Sequence, residues 1–337
     1  MRIVKSLYVL LAIASSALGY EPLPFTIDKA PFKKVVLWGH KLHSGTHSYI
    51  HYAFYKAFKH LGYDTYWFDA NDDARSMDFS NSLFITEGNA HTNIPLRSDC
   101  RYVLHNCDPE KYKNLFEQRC CMILQVYTHD VLKRDVIKVD DCIYYQFDSD
   151  ILYMPWATDL LPHEINAIKK QVPKFKKQKS IYWVGTIWDG ADGNRSKIHP
   201  FEQACQQNSI QFRQFGHLNA DQNIQLIQQS YMAPALQGKW QCEVGYIPCR
   251  IFKNISYGQM GITNSKTVYD LFKGKIVYNE DTYQLFFDAQ KRIKNMHNKE
   301  LFELMDFVKE KHTYLNRIYH ILNFFHVIKP FNGKKDF

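Results

Sequence analysis

Two series of short apolar runs, each alternating with helix-type segments, constrain this chain more than any other feature. In the first series Lys33–Gly39, Tyr63–Phe68, Ser82–Thr86, Arg101–His105 and Met122–Tyr127 read as strands. Thr46 to Leu61 reads as an amphipathic helix ended by Gly62, and Asp108-Pro109 opens another that runs to Gln118. The second series begins at Ser180. Its strands are Ile181–Gly185, Ile210–Phe215, Met232–Gln237 and Gly274–Tyr278. Its helices are Ile198–Asn208, Ala220–Gln229, Asp281–His297 and Lys299–Tyr314, with a last one over Tyr314–Ile328. Strand–helix alternation predicts parallel sheets with helices on both faces.

The pattern breaks at Ile151–Leu161, and the lysine cluster Lys174–Lys179 reads as a solvated connector. At 337 residues the chain has room for two such units. The expected division is 20–165, then 180–313, then a helix over 314–337 that crosses back to the first unit. A ligand would sit at the carboxyl ends of the strands, facing the cleft between the units.

Met1–Gly19 has the pattern of a secretory signal peptide. Arg2 and Lys5 precede an apolar run from Leu7 to Ala14, and small residues follow. The run is short for a membrane span, so a membrane would be engaged only through an uncleaved leader. The folded part is expected on a secretory route. The eight cysteines form no Cys-x-x-Cys, which excludes the common zinc-finger and thioredoxin spacings; mostly free or buried thiols are expected. Cys242 and Cys249 flank a turn and could pair. Asn194-Arg-Ser and Asn254-Ile-Ser are glycosylation sequons, the second inside a helix where a glycan would obstruct packing.

The net charge of +8 suits phosphate-bearing ligands. No basic stripe is interleaved with aromatics, so nucleic acid is not expected as a partner. The strongest local signal is the run from Gly245 to Ser265. There a loop leads into a short helix with Arg250 at its mouth, where open backbone N–H groups and the helix dipole favour an anion. Gly258 and Gly261 then turn the chain.

From Ser180 to Phe325 the sequence resembles the C-terminal half of GT-B glycosyltransferases, and among them the group of CgeB-like, spore-maturation-type transferases. The residues that carry the likeness are Val184-Gly185, Pro248-Cys-Arg250-Ile-Phe252, Gly258 with Gly261 and Asn264, and His312-Thr-Tyr314-Leu-Asn-Arg317. The resemblance implies an α/β fold of two Rossmann-like domains with a cleft between them. It implies transfer of a sugar from a nucleotide-sugar to a glycan, glycoprotein or lipid acceptor, with no metal expected. Gly185, Pro248, Arg250, Phe252, Gly258 and Asn264 would then serve the donor. Arg195 and Lys197, after the loop 185–193, are further phosphate candidates. One position departs from the family: a glutamate that holds the donor's ribose is replaced by Lys253.

Transfer with inversion also needs a base for the acceptor hydroxyl. His40, His43, His47 and His51 crowd the first strand–helix junction, with His43 or His47 the candidate base, and Glu87 follows the third strand. His47 and His51, one turn apart, could instead ligate zinc with His43 or His40. Two rival functions remain open. One is a secreted two-domain protein that binds a sugar or phosphate without chemistry. The other is a metal-dependent GT-A transferase that uses Asp148 and Asp150.

Overall fold

The computed structural model describes residues 32, 34–41, 45–69, 71–88, 93–107, 112–113, 120–127, 136–146 and 150–328, with side chains to Phe325. The leader, His43, Asp148 and most of the segment 108–118 lie outside the described residues.

The first half is built on an eight-stranded sheet ordered β2-β1-β3-β4-β5-β8-β7-β6. Its strands are β1 (Lys34–Trp38), β2 (Asp64–Phe68), β3 (Ser82–Glu87), β4 (Arg101–His105), β5 (Cys121–Gln125), β6 (Ile137–Asp140), β7 (Ile143–Gln146) and β8 (Ile151–Tyr153). The six strands from β2 to β8 run parallel, and β7 and β6 add an antiparallel edge. Strand β1 shows why the sheet is covered on both faces. Val35 and Leu37 enter one apolar cluster, whereas Val36 and Trp38 enter another. A strand buried on both sides reads as a continuous apolar run.

Helix α1 (Thr46–His60) follows β1 and buries Ile50, Ala53, Phe54, Ala57 and Phe58 at helical spacing. The chain leaves β1 toward β2 on one side and returns to β3 on the other. The carboxyl ends of β1 and β3 therefore form a topological switch point, where a crevice opens.

Helix α2 (Pro162–Gln171) stands where the sequence suggested only a break and a connector. Proline at its first turn and Glu164, whose carboxylate accepts from the Leu161 N–H at 2.6 Å, start it. It is tied to its neighbours by ion pairs: Lys169 with Asp306, and Glu164 with Lys56 of α1 at 2.7 Å.

In the second half β9 (Ser180–Val184) pairs with β10 (Gln211–Phe215), and β11 (Ile262–Thr263) with β12 (Val277–Tyr278), all parallel. The expected strand 232–237 shrinks to a single bridge, Ala235 to Thr263. The helices are α3 (Arg195–Gln207), α4 (Ala220–Gln229), α5 (Lys239–Glu243), α6 (Cys249–Ser256), α7 (Lys266–Leu271), α8 (Thr282–Asn295), α9 (Asn298–Lys311) and α10 (Tyr314–Ile328).

Helix α10 packs on α1 of the first half, with the Phe54 and Tyr314 rings 4.6 Å apart. Arg317, fully buried, anchors it. The guanidinium donates to the backbone carbonyls of Pro155, Trp156 and Lys311, and to His312 Nδ1 at 3.0 Å. His312 in turn stacks on Phe252 at 4.3 Å. The His312–Arg317 run thus serves as a staple behind the cleft. No described helix is long and apolar enough to cross a membrane.

No disulfide forms among the described cysteines, and Cys242 and Cys249 do not pair. Both sequon asparagines are buried. Asn254 donates to the Ala233 carbonyl at 2.8 Å, and Asn194 accepts from the Trp188 N–H at 3.1 Å. Neither amide is open to a glycan in the folded chain.

Candidate functional site

A cleft of about 790 Å³ opens between the halves, a size that holds a small ligand. From the first half it takes Gly45, Thr46 and Tyr49 at the start of α1. From the second it takes the strand ends Trp183–Thr186 and Gln214–His217, and the mouth of α6 from Pro248 to Arg250. Tyr49 closes one side by donating its hydroxyl proton to the Leu218 carbonyl at 2.5 Å.

Arg250 is half-buried in this cleft. Its guanidinium lies over the Trp183 ring, with the carbon 3.8 Å from the ring centre. Among the described residues it has no carboxylate partner. Burial pulls its pKa down to about 10, so it remains charged at neutral pH. The loop after β9 allows the approach. Gly185 has φ +129°, and a β-carbon there would stand 2.9 Å from Arg250 Nη2. An arginine without a carboxylate partner among the described residues, a helix start and a glycine turn converge on one volume, an arrangement that favours an anion.

Lys253 lies one turn further along α6 and also lines the cleft. Its ammonium sits 4.4 Å from the centre of the Tyr49 ring and 3.4 Å from Asp159 Oδ2. Asp159 is buried and accepts from Tyr257 through its other oxygen at 2.5 Å. Burial alone would raise its pKa, but Lys253 and Tyr257 outweigh burial and hold the carboxyl below its ordinary value. Lys253 is therefore committed to an internal ion pair.

The other sequence candidates fall into two groups. Gly185, Pro248 and Arg250 line the cleft. Phe252, Gly258 and Asn264 stand behind it. Phe252 is fully buried against His312, and Gly258 gives room to Val172 and Phe175. Asn264 exchanges hydrogen bonds with the Gln237 backbone, which brings Gln237 to the cleft wall. Arg195 is exposed and paired with Asp189 at 2.6 Å; neither it nor Lys197 lines the cleft. Asp150 stands at the amino end of β8, not at the carboxyl strand ends where the crevice opens.

Beside the cleft, at the switch point, the strand ends gather a histidine cluster. Gly39 leaves β1, and His40 follows in the left-handed region at φ 59°. His40 Nε2 donates to Glu87 Oε2 at 2.7 Å, and His47 Nδ1 reaches the same oxygen at 3.1 Å. Asn106, also left-handed at φ 49°, donates to Glu87 Oε1 at 2.7 Å. Burial alone would raise the Glu87 pKa, but these three donors hold it well below the usual carboxylate range.

Behind them His51 donates through Nδ1 to the Gly39 carbonyl at 2.9 Å, and its Nε2 meets His105 Nε2 at 2.9 Å. With the His51 proton on Nδ1, His105 is the donor of that bond. Burial, with His51 and His47 nearby, keeps His105 well below the ordinary histidine pKa.

Sequence reasoning missed Trp183, Tyr49, Asp159, Asn106 and His105. An apolar run hides a tryptophan platform, and only register brings His105 beside Glu87.

This architecture is the GT-B fold: two Rossmann-like halves that face each other across a cleft. Two solved structures match it over nearly their whole length. An alpha-glucosyltransferase in complex with UDP superposes with a TM-score of 0.57 at 9% identity, covering 86% of this chain and 99% of that one. An alpha-glucosyltransferase in complex with UDP and a 13-mer DNA containing a central A:G mismatch gives 0.58 at 9% identity, with the same coverage. No protein-family model and no curated protein matches the sequence.

Proposed function

We propose that this chain is a glycosyltransferase that moves a sugar from a nucleotide-sugar to a glycan, glycoprotein or lipid acceptor. The observation that carries the reading is Arg250, charged and without a carboxylate partner among the described residues, at the mouth of α6 and over Trp183. A nucleoside diphosphate leaving group needs this kind of stabilisation, and a site that supplies it from helix amides and a guanidinium needs no metal to do so. The fold is shared with proteins solved with UDP, so uridine diphosphate is the first donor nucleotide to test. The motifs around Gly185, Pro248–Phe252 and His312–Arg317 support a place beside the CgeB-like transferases. The leader supports delivery to a secretory route.

Chemistry on the acceptor falls to His47. Glu87, ionised, accepts the His47 Nδ1–H, which leaves the Nε2 lone pair free to take the acceptor hydroxyl proton. His43 lies outside the described residues and takes no part in this assignment. The GT-A alternative falls with the GT-B fold and with Asp150 at the amino end of β8, away from the carboxyl strand ends at the crevice. The binding-protein alternative is favoured by one observation, Lys253 in the place of the ribose-holding glutamate.

A thermal-shift screen with UDP, GDP, CMP, dTDP and their sugars tests the reading, followed by turnover assays with any ligand that binds. A melting shift with one nucleotide that Arg250→Ala abolishes, with turnover of its sugar, supports the transferase. Binding without turnover of any activated sugar would leave the binding protein. Transfer to DNA would overturn the acceptor class.

A further inference from the structure

The histidine cluster offers more than a base. His40 Nε2, His47 Nδ1 and Glu87 Oε2 all lie within 4.8 Å of one another. A hydrogen-bonded dyad needs one ring on the carboxylate; here two rings from different segments converge on a single oxygen, while Asn106 fixes the other oxygen. Two imidazole nitrogens and a carboxylate oxygen, held by three protein segments, are the ligand set of a zinc site that keeps a free position. Glu87 is buried, but the His40 and His47 side chains remain 17% and 31% exposed, so an ion can enter. Two residues around Glu87, His40 and Asn106, adopt left-handed backbone that is costly for a side-chain-bearing residue.

We propose that His40, His47 and Glu87 bind a divalent transition-metal ion, zinc by preference, and that the bound ion switches off the His47 base. The metal-binding half stands on this geometry alone; the inhibitory half rests on the glycosyl-transfer reading above. Without metal, His47 carries its proton on Nδ1 and gives it to Glu87. A metal on Nδ1 requires that proton to move to Nε2, with no net proton gained or lost. The lone pair that would take the acceptor proton is then gone. His40 changes tautomer in the same way, freeing Nε2 for the metal. Base and ligand are two exclusive states of one imidazole. The Arg250 end of the cleft is untouched, so nucleotide binding survives in the metal-loaded protein.

The test uses the full chain, stripped of metal by EDTA dialysis and titrated with zinc chloride. Bound zinc is read by equilibrium dialysis with metal analysis, and folding by thermal melting. The expected result is one zinc per chain with a rise in melting temperature. Both should be lost in His40→Ala and in Glu87→Gln, provided each variant melts cooperatively without zinc. Asn106→Ala, which removes a hydrogen bond behind the ligand, should weaken zinc by about tenfold. Transfer should fall along the same zinc titration and return with EDTA, while the UDP-induced melting shift persists. No stoichiometric zinc, or zinc retained by both ligand variants, overturns the site. A filled site with undiminished transfer overturns the switch. If no condition gives transfer, the proposed function fails, and the dialysis still decides the metal site.

Discussion

The Arg250 guanidinium lies over the Trp183 ring, with its carbon 3.8 Å from the ring centre. A planar cation over an aromatic face is a geometry that lysine does not reproduce. Arg250→Ala should abolish the UDP-induced melting shift and lower kcat/KM by about 100-fold or more. Arg250→Lys should recover only part of the binding. Unchanged UDP binding in Arg250→Ala would remove the anion site.

Gly185 tests the same contact from the other side. Alanine there must tolerate φ +129° and would meet Arg250 Nη2 at 2.9 Å. Gly185→Ala should cost more than about 1 kcal/mol of stability and weaken UDP further by displacing the guanidinium. Urea denaturation, with and without UDP, separates the two effects.

Lys253 and Asp159 are a buried pair, so removing one member costs more than removing both. Lys253→Ala should destabilise the chain by about 3–5 kcal/mol, because the Asp159 charge is left buried. Lys253→Met with Asp159→Asn should recover most of that loss in a double-mutant cycle. Lys253→Glu sets two carboxylates together and should also destabilise.

Glu87→Gln should leave UDP binding intact and lower kcat by about 100-fold, since Gln cannot stabilise the protonated His47 that forms as the acceptor loses its proton. The split between kcat and donor affinity is the measurement. A parallel loss of UDP binding would place Glu87 in the donor site instead.

Stability should fall with pH below about 6.5, the ordinary histidine value. His105 and His312 are held well below it by burial, with His51 acting on the first and Arg317 on the second. Burial and Arg317 push His320 down to about 4. The unfolded chain binds these protons first, so ΔG of unfolding drops as pH falls through the unfolded value and keeps dropping until the folded groups titrate. The depressed carboxyls of Glu87 and Asp159 act only lower, where free carboxylates titrate. Urea midpoints between about pH 7.5 and 5 should decline, and His320→Gln should flatten the slope. A flat profile would mean that the histidines are not held neutral.

Local pattern in the chain determined much of the framework. Strand β1 is legible because a strand buried on both faces must be continuously apolar, and α1 because its apolar residues recur at helical spacing before Gly62. Arg250 at a helix mouth and the histidines after β1 are legible for the same reason, since each signal fits within a few residues. Helix α2 was hidden because its contacts come from other segments: its Lys169 pairs with Asp306 of α9, and its Asn166 accepts from Lys309 of the same helix. The edge pair β6–β7 was hidden because its strands are short and half polar.

What only the tertiary structure decided is which distant groups meet. His40 and Glu87 are 47 residues apart, Tyr257 and Asp159 are 98 apart, and Tyr49 reaches Leu218 across 169. Sheet order sets those encounters: because β1 lies between β2 and β3, its end and the end of β3 open together, and Glu87 arrives beside His40 and His105. A sequence states the period of each element. Pairing across the fold depends on register and packing, which arise from the whole chain at once.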